Sequence, residues 1–145
     1  MDIEETFWIG WRLVIDYRDF FDEVIQAHVE IEQWFAGTAP EGTLQVLLGR
    51  FSPDFSMITP AGKQLDFAML KQLFSQAGGK RPGFKISLSE FTGIDRHARG
   101  ATVSYREQQV DGSGAQTDRR STVVFEKQAS GALLWRHLHE TFLQA

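Results

Sequence analysis

After Pro82 the apolar residues of the chain change period, from every third or fourth position to every second. Phe84, Ile86, Leu88 and Glu90 alternate with Lys85, Ser87 and Ser89, and Val103, Tyr105 and Glu107 alternate with Thr102, Ser104 and Arg106. Side chains two apart on a strand share a face, so this half of the chain must form a sheet with one buried side. The polar stretch "VDGSGAQT" reads as a hairpin loop, and "RRSTVVFEKQ" leaves it with Arg119, Ser121, Val123 and Phe125 on one face. A hairpin symmetric about "GSG" sets Tyr105 near Ser121 and Glu107 near Arg119. After "ASG", the run "ALLWRHLHETFL" supplies a last strand, on which strict alternation puts Trp135, His137, His139 and Thr141 together, opposite Arg136, Leu138, Glu140 and Phe142.

The first half of the chain has the other period. From Asp16, Tyr17, Phe20, Phe21, Val24, His28, Ile31 and Phe35 recur at three- and four-residue steps, an amphipathic helix ending near Gly37. Phe7 to Ile15 is out of phase with it, so a break is expected near Gly10. "LQVLLGRF" and "DFSMIT" read as short strands around a turn at Ser52-Pro53, and "PAGKQ" as a second turn using Gly62. "LDFAMLKQLFSQAGG" then reads as a second helix, with Asp66 as N-cap and two glycines as its stop. The expected order is helix, two short strands, helix and four longer strands. That order predicts an α+β fold with helices on one side of a curved antiparallel sheet.

With 145 residues, 42% of them hydrophobic, the chain is long enough for one cored domain, residues 1–145, whose first 15 form a Trp-rich extension. A net charge of -4 from 19 acidic and 15 basic residues, spread along the chain, offers no basic footprint for nucleic acid. There is no cysteine, which excludes disulfides, thiol nucleophiles and cysteine-ligated zinc and fits a reducing compartment. "TFWIGWRLVI" is too short to span a membrane and carries Arg12 behind an acidic start, so no membrane partner and a cytoplasmic location are expected.

Two stretches carry a family resemblance. "FSPDFSMITPAGKQLDFAMLKQLF" is similar to a strand, Pro-x-Gly turn and short helix of nuclear-transport-factor-2-like proteins, and "GALLWRHLHETF" resembles their last strand. The similarity is strongest to the SnoaL-like branch and spans residues 20 to 142. It implies a cystatin-like cone, a curved sheet wrapped around a long helix with a pocket at the wide end, in a homodimer. The superfamily includes ketosteroid isomerases, polyketide cyclases, dehydratases and non-catalytic assembly domains, so fold alone does not settle function. His139 stands at the common family histidine, whereas Thr141 and His137 replace a second histidine and an aliphatic residue. No segment matches an isomerase's catalytic Asp/Tyr set.

The expected pocket has an apolar floor from Trp34, Phe55, Phe84, Ile86 and Leu88, with Trp135 on the same concave side. Tyr105, Glu107, Arg119, His137 and His139 add a polar patch, and Glu90 or Glu107 could act as a base. His139, Tyr105 and His137 are the candidate catalytic groups, for enolisation, cyclisation or dehydration of a small organic molecule without a cofactor. His28 is read as a satisfied core residue. A zinc site from His28, His137 and His139 is not demanded by their spacing, and no metal is expected. "AGGKRPG" lacks the order that wraps a phosphate. Thr102, Ser104, Arg106, Thr122, Val124, Leu134, Leu138 and Phe142 form the opposite face, mixed in polarity as homodimer sheets can be. A small-molecule-binding domain is the function these residues favour, with a cofactor-independent lyase or isomerase and a dimeric interaction module as the alternatives.

Overall fold

The computed structural model describes the backbone of residues 6–9 and 12–144 and the side chains of residues 16–144. The elements run β1 (Thr6–Ile9), β2 (Arg12–Ile15), α1 (Arg18–Ala36), α2 (Thr43–Leu48), β3 (Phe51–Ile58), β4 (Gln64–Asp66), α3 (Phe67–Ala77), β5 (Lys85–His97), β6 (Gly100–Val110), β7 (Gln116–Lys127) and β8 (Leu133–Phe142). β1 and β2 pair as a two-stranded sheet. The other six strands form one curved, unclosed sheet in the order β4-β3-β8-β7-β6-β5. The side chains of Trp8 and Trp11 in the Trp-rich extension, and the break expected near Gly10, lie outside the described residues.

α1 forms where the three-and-four spacing predicts it, with Phe20, Val24, Ala27 and His28 buried against the sheet. It stops at Gly37, whose φ of 80° is a left-handed conformation that costs glycine little. Arg50 ties α1 to the start of β3: its guanidinium meets both oxygens of Glu23 at 2.7 and 2.8 Å and both oxygens of Glu30 at 2.7 and 2.8 Å. The Trp135 indole donates to Glu23 Oε2 at 3.0 Å, so the largest side chain of β8 is fixed to the helix. Phe51 and Phe125 pack on the same ring.

Three expectations need correction. "LQVLL" is helical, because Leu44, Leu47 and Leu48 reach the core at helical spacing while Val46 is exposed; a short apolar run does not reveal its period. Phe51–Ile58 is one strand rather than two around a turn. Pro53 is accommodated because the β3–β8 register shifts between Phe51 and Ser56, where its missing N–H leaves no ladder bond open. The sheet is mixed rather than wholly antiparallel, since β3 and β8 run parallel. α3 begins as expected, with the Asp66 carboxylate accepting from the Met69 N–H at 2.8 Å. The β6–β7 hairpin has the expected register, pairing Tyr105 with Ser121 and Glu107 with Arg119.

The decisive departure is in β8. Phe125 pairs with Trp135 and Val124 with His137, which leaves Arg136 as an extra residue in a β-bulge. The bulge reverses the alternation beyond it, so Leu138 and Glu140 turn inward and His137, His139 and Thr141 turn outward. Trp135, His137 and His139 therefore do not share a face.

Candidate functional site

The cross-strand pairing stacks the inward side chains of β6, β7 and β8 in rows. Ala101, Phe125 and Trp135 make the first row, and Val103, Val123 and Leu138 the second; both are apolar and buried. Tyr105, Ser121 and Glu140 make the third, then Glu107, Arg119 and Phe142, with Gln109 beyond. The face therefore changes from hydrocarbon to buried ionisable groups within two residues along β6 and β8 and within four along β7. Charged side chains in such positions require partners, because desolvation without them costs several kcal/mol.

These groups border a cavity of about 300 Å³. Phe51, Phe55 and Met57 of β3, Leu65 of β4, and Leu70, Leu73 and Phe74 of α3 supply an apolar wall, while His28, Glu107, Gln109, Arg119 and Glu140 supply a polar one. Arg81, half-buried between α3 and β5, also borders it. The His28 ring bonds on both sides: Nδ1 lies 2.7 Å from the Val24 carbonyl oxygen and Nε2 3.1 Å from Glu107 Oε1. Gln109 Nε2 donates to Glu107 Oε2 at 2.7 Å. On the neighbouring strands, Ser121 Oγ donates to Glu140 Oε2 at 2.8 Å, and Arg119 Nη1 lies 3.5 Å from Glu140 Oε1.

Environment separates the two carboxyls. Burial favours the neutral form of Glu107, but the charge and hydrogen bond of His28, with help from Gln109 and Arg119, outweigh it and lower its pKa to about 2. Burial likewise opposes charge on His28, and Glu107 more than offsets it, holding the imidazole above its ordinary value. Glu140 goes the other way, raised first by burial and then by the nearby Glu107 charge. The surroundings thus favour the charged forms of His28 and Glu107 and the neutral form of Glu140.

Of the expected pocket residues, Phe55, Glu107, Arg119 and Trp135 line the cavity. Tyr105 does not: it is buried with its ring 5.5 Å from that of His28, its hydroxyl lacks a well-formed hydrogen bond, and burial raises its pKa well above normal. Trp34 donates its indole N–H to the Phe74 carbonyl at 2.7 Å, closing α1 onto α3. Phe84 is buried against Phe35 beneath Arg81, and Ile86 and Leu88 are half-buried on β5 outside the lining. Glu90 is exposed beside Arg106 and Arg120, with a φ of 55°. His137 bonds Ser56 Oγ through Nδ1 at 2.7 Å on the outer face, where burial and then the His139 charge lower its pKa. His139 is exposed beside it.

Sequence reasoning missed Glu140, His28 and Gln109 as cavity groups. Gln109 was legible, since it continues the alternation of Tyr105 and Glu107. Glu140 was not, because only the bulge turns it inward. The sheet separates His28 from His137 and His139, so those three cannot share a metal. Among the described residues, no cluster of three or more His, Cys, Asp or Glu side chains is arranged for a metal ion. Among them too, no helix is long and apolar enough to cross a membrane.

No family model matches the sequence, and no curated protein matches it significantly. Solved structures do. A candidate dehydratase of the NTF2-like family from Streptomyces avermitilis has a TM-score of 0.66 at 14% identity, covering 89% of this chain and 100% of that one. A CaMKII hub homology domain from Chlamydomonas reinhardtii has a TM-score of 0.70 at 14% identity, covering 88% of this chain and 97% of that one. Both likenesses establish the fold alone. An NTF2-like protein of unknown function from Pseudomonas aeruginosa has a TM-score of 0.83 at 42% identity, covering 86% of this chain and 98% of that one. With that identity over nearly the whole of the relative, this chain belongs to the NTF2-like family.

Proposed function

We propose that the domain binds a small organic molecule in the cone, with an apolar body against β3 and α3 and a polar end toward β6, β7 and β8. One observation carries the reading: the cavity has hydrocarbon on one wall and buried ionisable groups on the other. That combination suits ligands that need area for affinity and a few polar groups for orientation. Titration with the neutral fluorescent probe N-phenylnaphthylamine tests it. Saturable binding is expected, weakened about tenfold or more by Leu73→Trp at the exposed rim without loss of the thermal midpoint. Absence of saturable binding, or indifference to Leu73→Trp, would overturn the reading.

A second reading, acid–base catalysis, rests on the opposite displacement of Glu107 and Glu140. Two carboxyls of different ionisation beside one cavity can divide the roles of proton donor and acceptor. The fold shared with a candidate dehydratase is compatible with this. Solvent-deuterium uptake beside the carbonyl of small apolar ketones, abolished by Glu140→Gln, is the expected signature. No exchange across such a panel would dismiss it.

We further propose a homodimer through the outer face of β6, β7 and β8, where Thr122, Val124, His137, His139 and Thr141 are half-buried or exposed. Leu138 and Phe142, expected on that face, are excluded from it, because the bulge turns Leu138 inward and sets Phe142 in the row of Arg119. Likeness to a hub homology domain supports association.

A further inference from the structure

The polar wall carries a cation whose bonding is incomplete. The Arg119 side chain is only 13% exposed. Its contacts are nevertheless long: Glu140 Oε1 at 3.5 Å, Thr117 Oγ1 at 3.3 Å, and the face of Phe142 at 5.2 Å. Its Nε is buried with no hydrogen-bond partner. A guanidinium has five donors in a rigid fork, and leaving buried donors unmade is costly. The nearby carboxylate of Glu107 is already engaged by His28 and Gln109. Arg81 adds a second positive charge to the lining: it sits 4.0 Å over Phe84, reaches Gln109 at 3.4 Å, and lies close enough to Asp111 to stabilise that carboxylate.

Resting on the pocket reading above, we propose that this cavity selects small aryl or alkyl monocarboxylates, the ligand carboxylate taking the Arg119 fork in place of Glu140. A planar carboxylate matches the fork with two parallel N–H···O bonds, which a neutral carbonyl or an amine cannot do. The apolar wall of Phe51, Phe55, Leu70 and Phe74 sets the other end of the molecule as hydrocarbon. A cationic ligand would meet both arginines.

Proton linkage follows from the exchange of partners. Glu140 is faced by Tyr105 and Glu107 of β6, Arg119 and Ser121 of β7, and His28 of α1, and the positive charge of Arg119 favours its ionisation, together with the Ser121 hydroxyl and His28. When a ligand carboxylate neutralises that charge, Glu140 holds its proton more tightly. Binding then takes up a proton, so affinity falls as pH rises.

Calorimetry on the full chain with phenylpropionate, phenylpropionamide and phenylpropylamine tests the proposal. The acid is expected to bind about tenfold or more tightly than the amide and the amine. Its affinity should decline as pH rises above 4.5 and through the folded value of Glu140, with proton uptake visible in buffers of different ionisation enthalpy. Arg119→Gln should abolish the preference for the acid, and Arg119→Lys, which keeps charge without the fork, should reduce it. Glu140→Gln should flatten the pH dependence. If the amide binds as tightly as the acid while N-phenylnaphthylamine still binds, the carboxylate proposal falls and the pocket reading stands. Should N-phenylnaphthylamine also fail to bind, both fall. The comparison of acid with amide needs no variant, so a misfolded Arg119→Gln protein would not rescue the proposal.

Discussion

His28 and Glu107 meet at 3.1 Å with almost no solvent contact, and Glu140 faces them from β8. The three groups bias stability toward mildly acidic pH. His28 is raised above 6.5 in the folded chain, so its stabilisation is complete below pH 6.5 and disappears as pH rises through the folded value. Glu107 is depressed from 4.5 to about 2, so its contribution is present above pH 4.5 and disappears as pH falls toward 2. Glu140 is raised above 4.5, and its contribution fades as pH climbs through its folded value. The thermal midpoint is therefore expected to peak between about pH 4.5 and about pH 6.5 and to fall toward pH 8, with Glu140→Gln removing part of the alkaline decline. A flat melting profile across that range would show that these groups do not titrate as their surroundings dictate. The Glu107–Arg119 pair was legible because hairpin symmetry about "GSG" fixes it. Inward placement of Glu140 was not, since it depends on one extra residue upstream in the same strand.

Arg136 is that residue, and its insertion illustrates how an element can obey its pattern on both sides of a point and yet change face across it. Deleting Arg136 would join Trp135 to His137 in regular alternation and leave Leu138 and Glu140 inward. Deleting His139 would instead turn Glu140 outward. Thermal denaturation should therefore show a smaller loss for the first deletion, although it also removes the 2.7 Å bond from Arg136 to the Asp54 carbonyl. Equal losses would mean that facing is not what the bulge controls. At the β5–β6 turn, Gly100 has a φ of 151°, and an added Cβ would lie 2.0 Å from the Phe125 carbonyl oxygen of β7. Gly100→Ala must displace a backbone, so denaturant titration should show a loss of about 2 kcal/mol or more. The long elements, α1 and the last four strands, were legible from period alone. The short ones were not: α2 has too few residues to display a period, and three-residue β4 exists only because β3 lies beside it.

At the scale of the whole molecule, the outer sheet face exposes Val124 between Thr122 and the two histidines of β8. Sedimentation at micromolar concentration is expected to report a dimer, and Val124→Glu, an outward substitution that leaves the core untouched, to yield a monomer with an unchanged melting midpoint. A wild-type monomer would refute association through this face. The curved sheet and long helix were legible from element order. Its one parallel seam was not, because adjacency between distant strands leaves no mark in local periodicity. That seam orders events during synthesis on the ribosome. β8 lies between β3 and β7, so the strand made last joins the two halves of the sheet. Until residues 133–142 emerge, β3 and β7 each present an unpaired edge, and the cavity wall carrying Glu140 does not exist. A nascent chain stalled before residue 133 should be protease-sensitive and prone to edge-to-edge association, and should acquire resistance in one step when β8 is released.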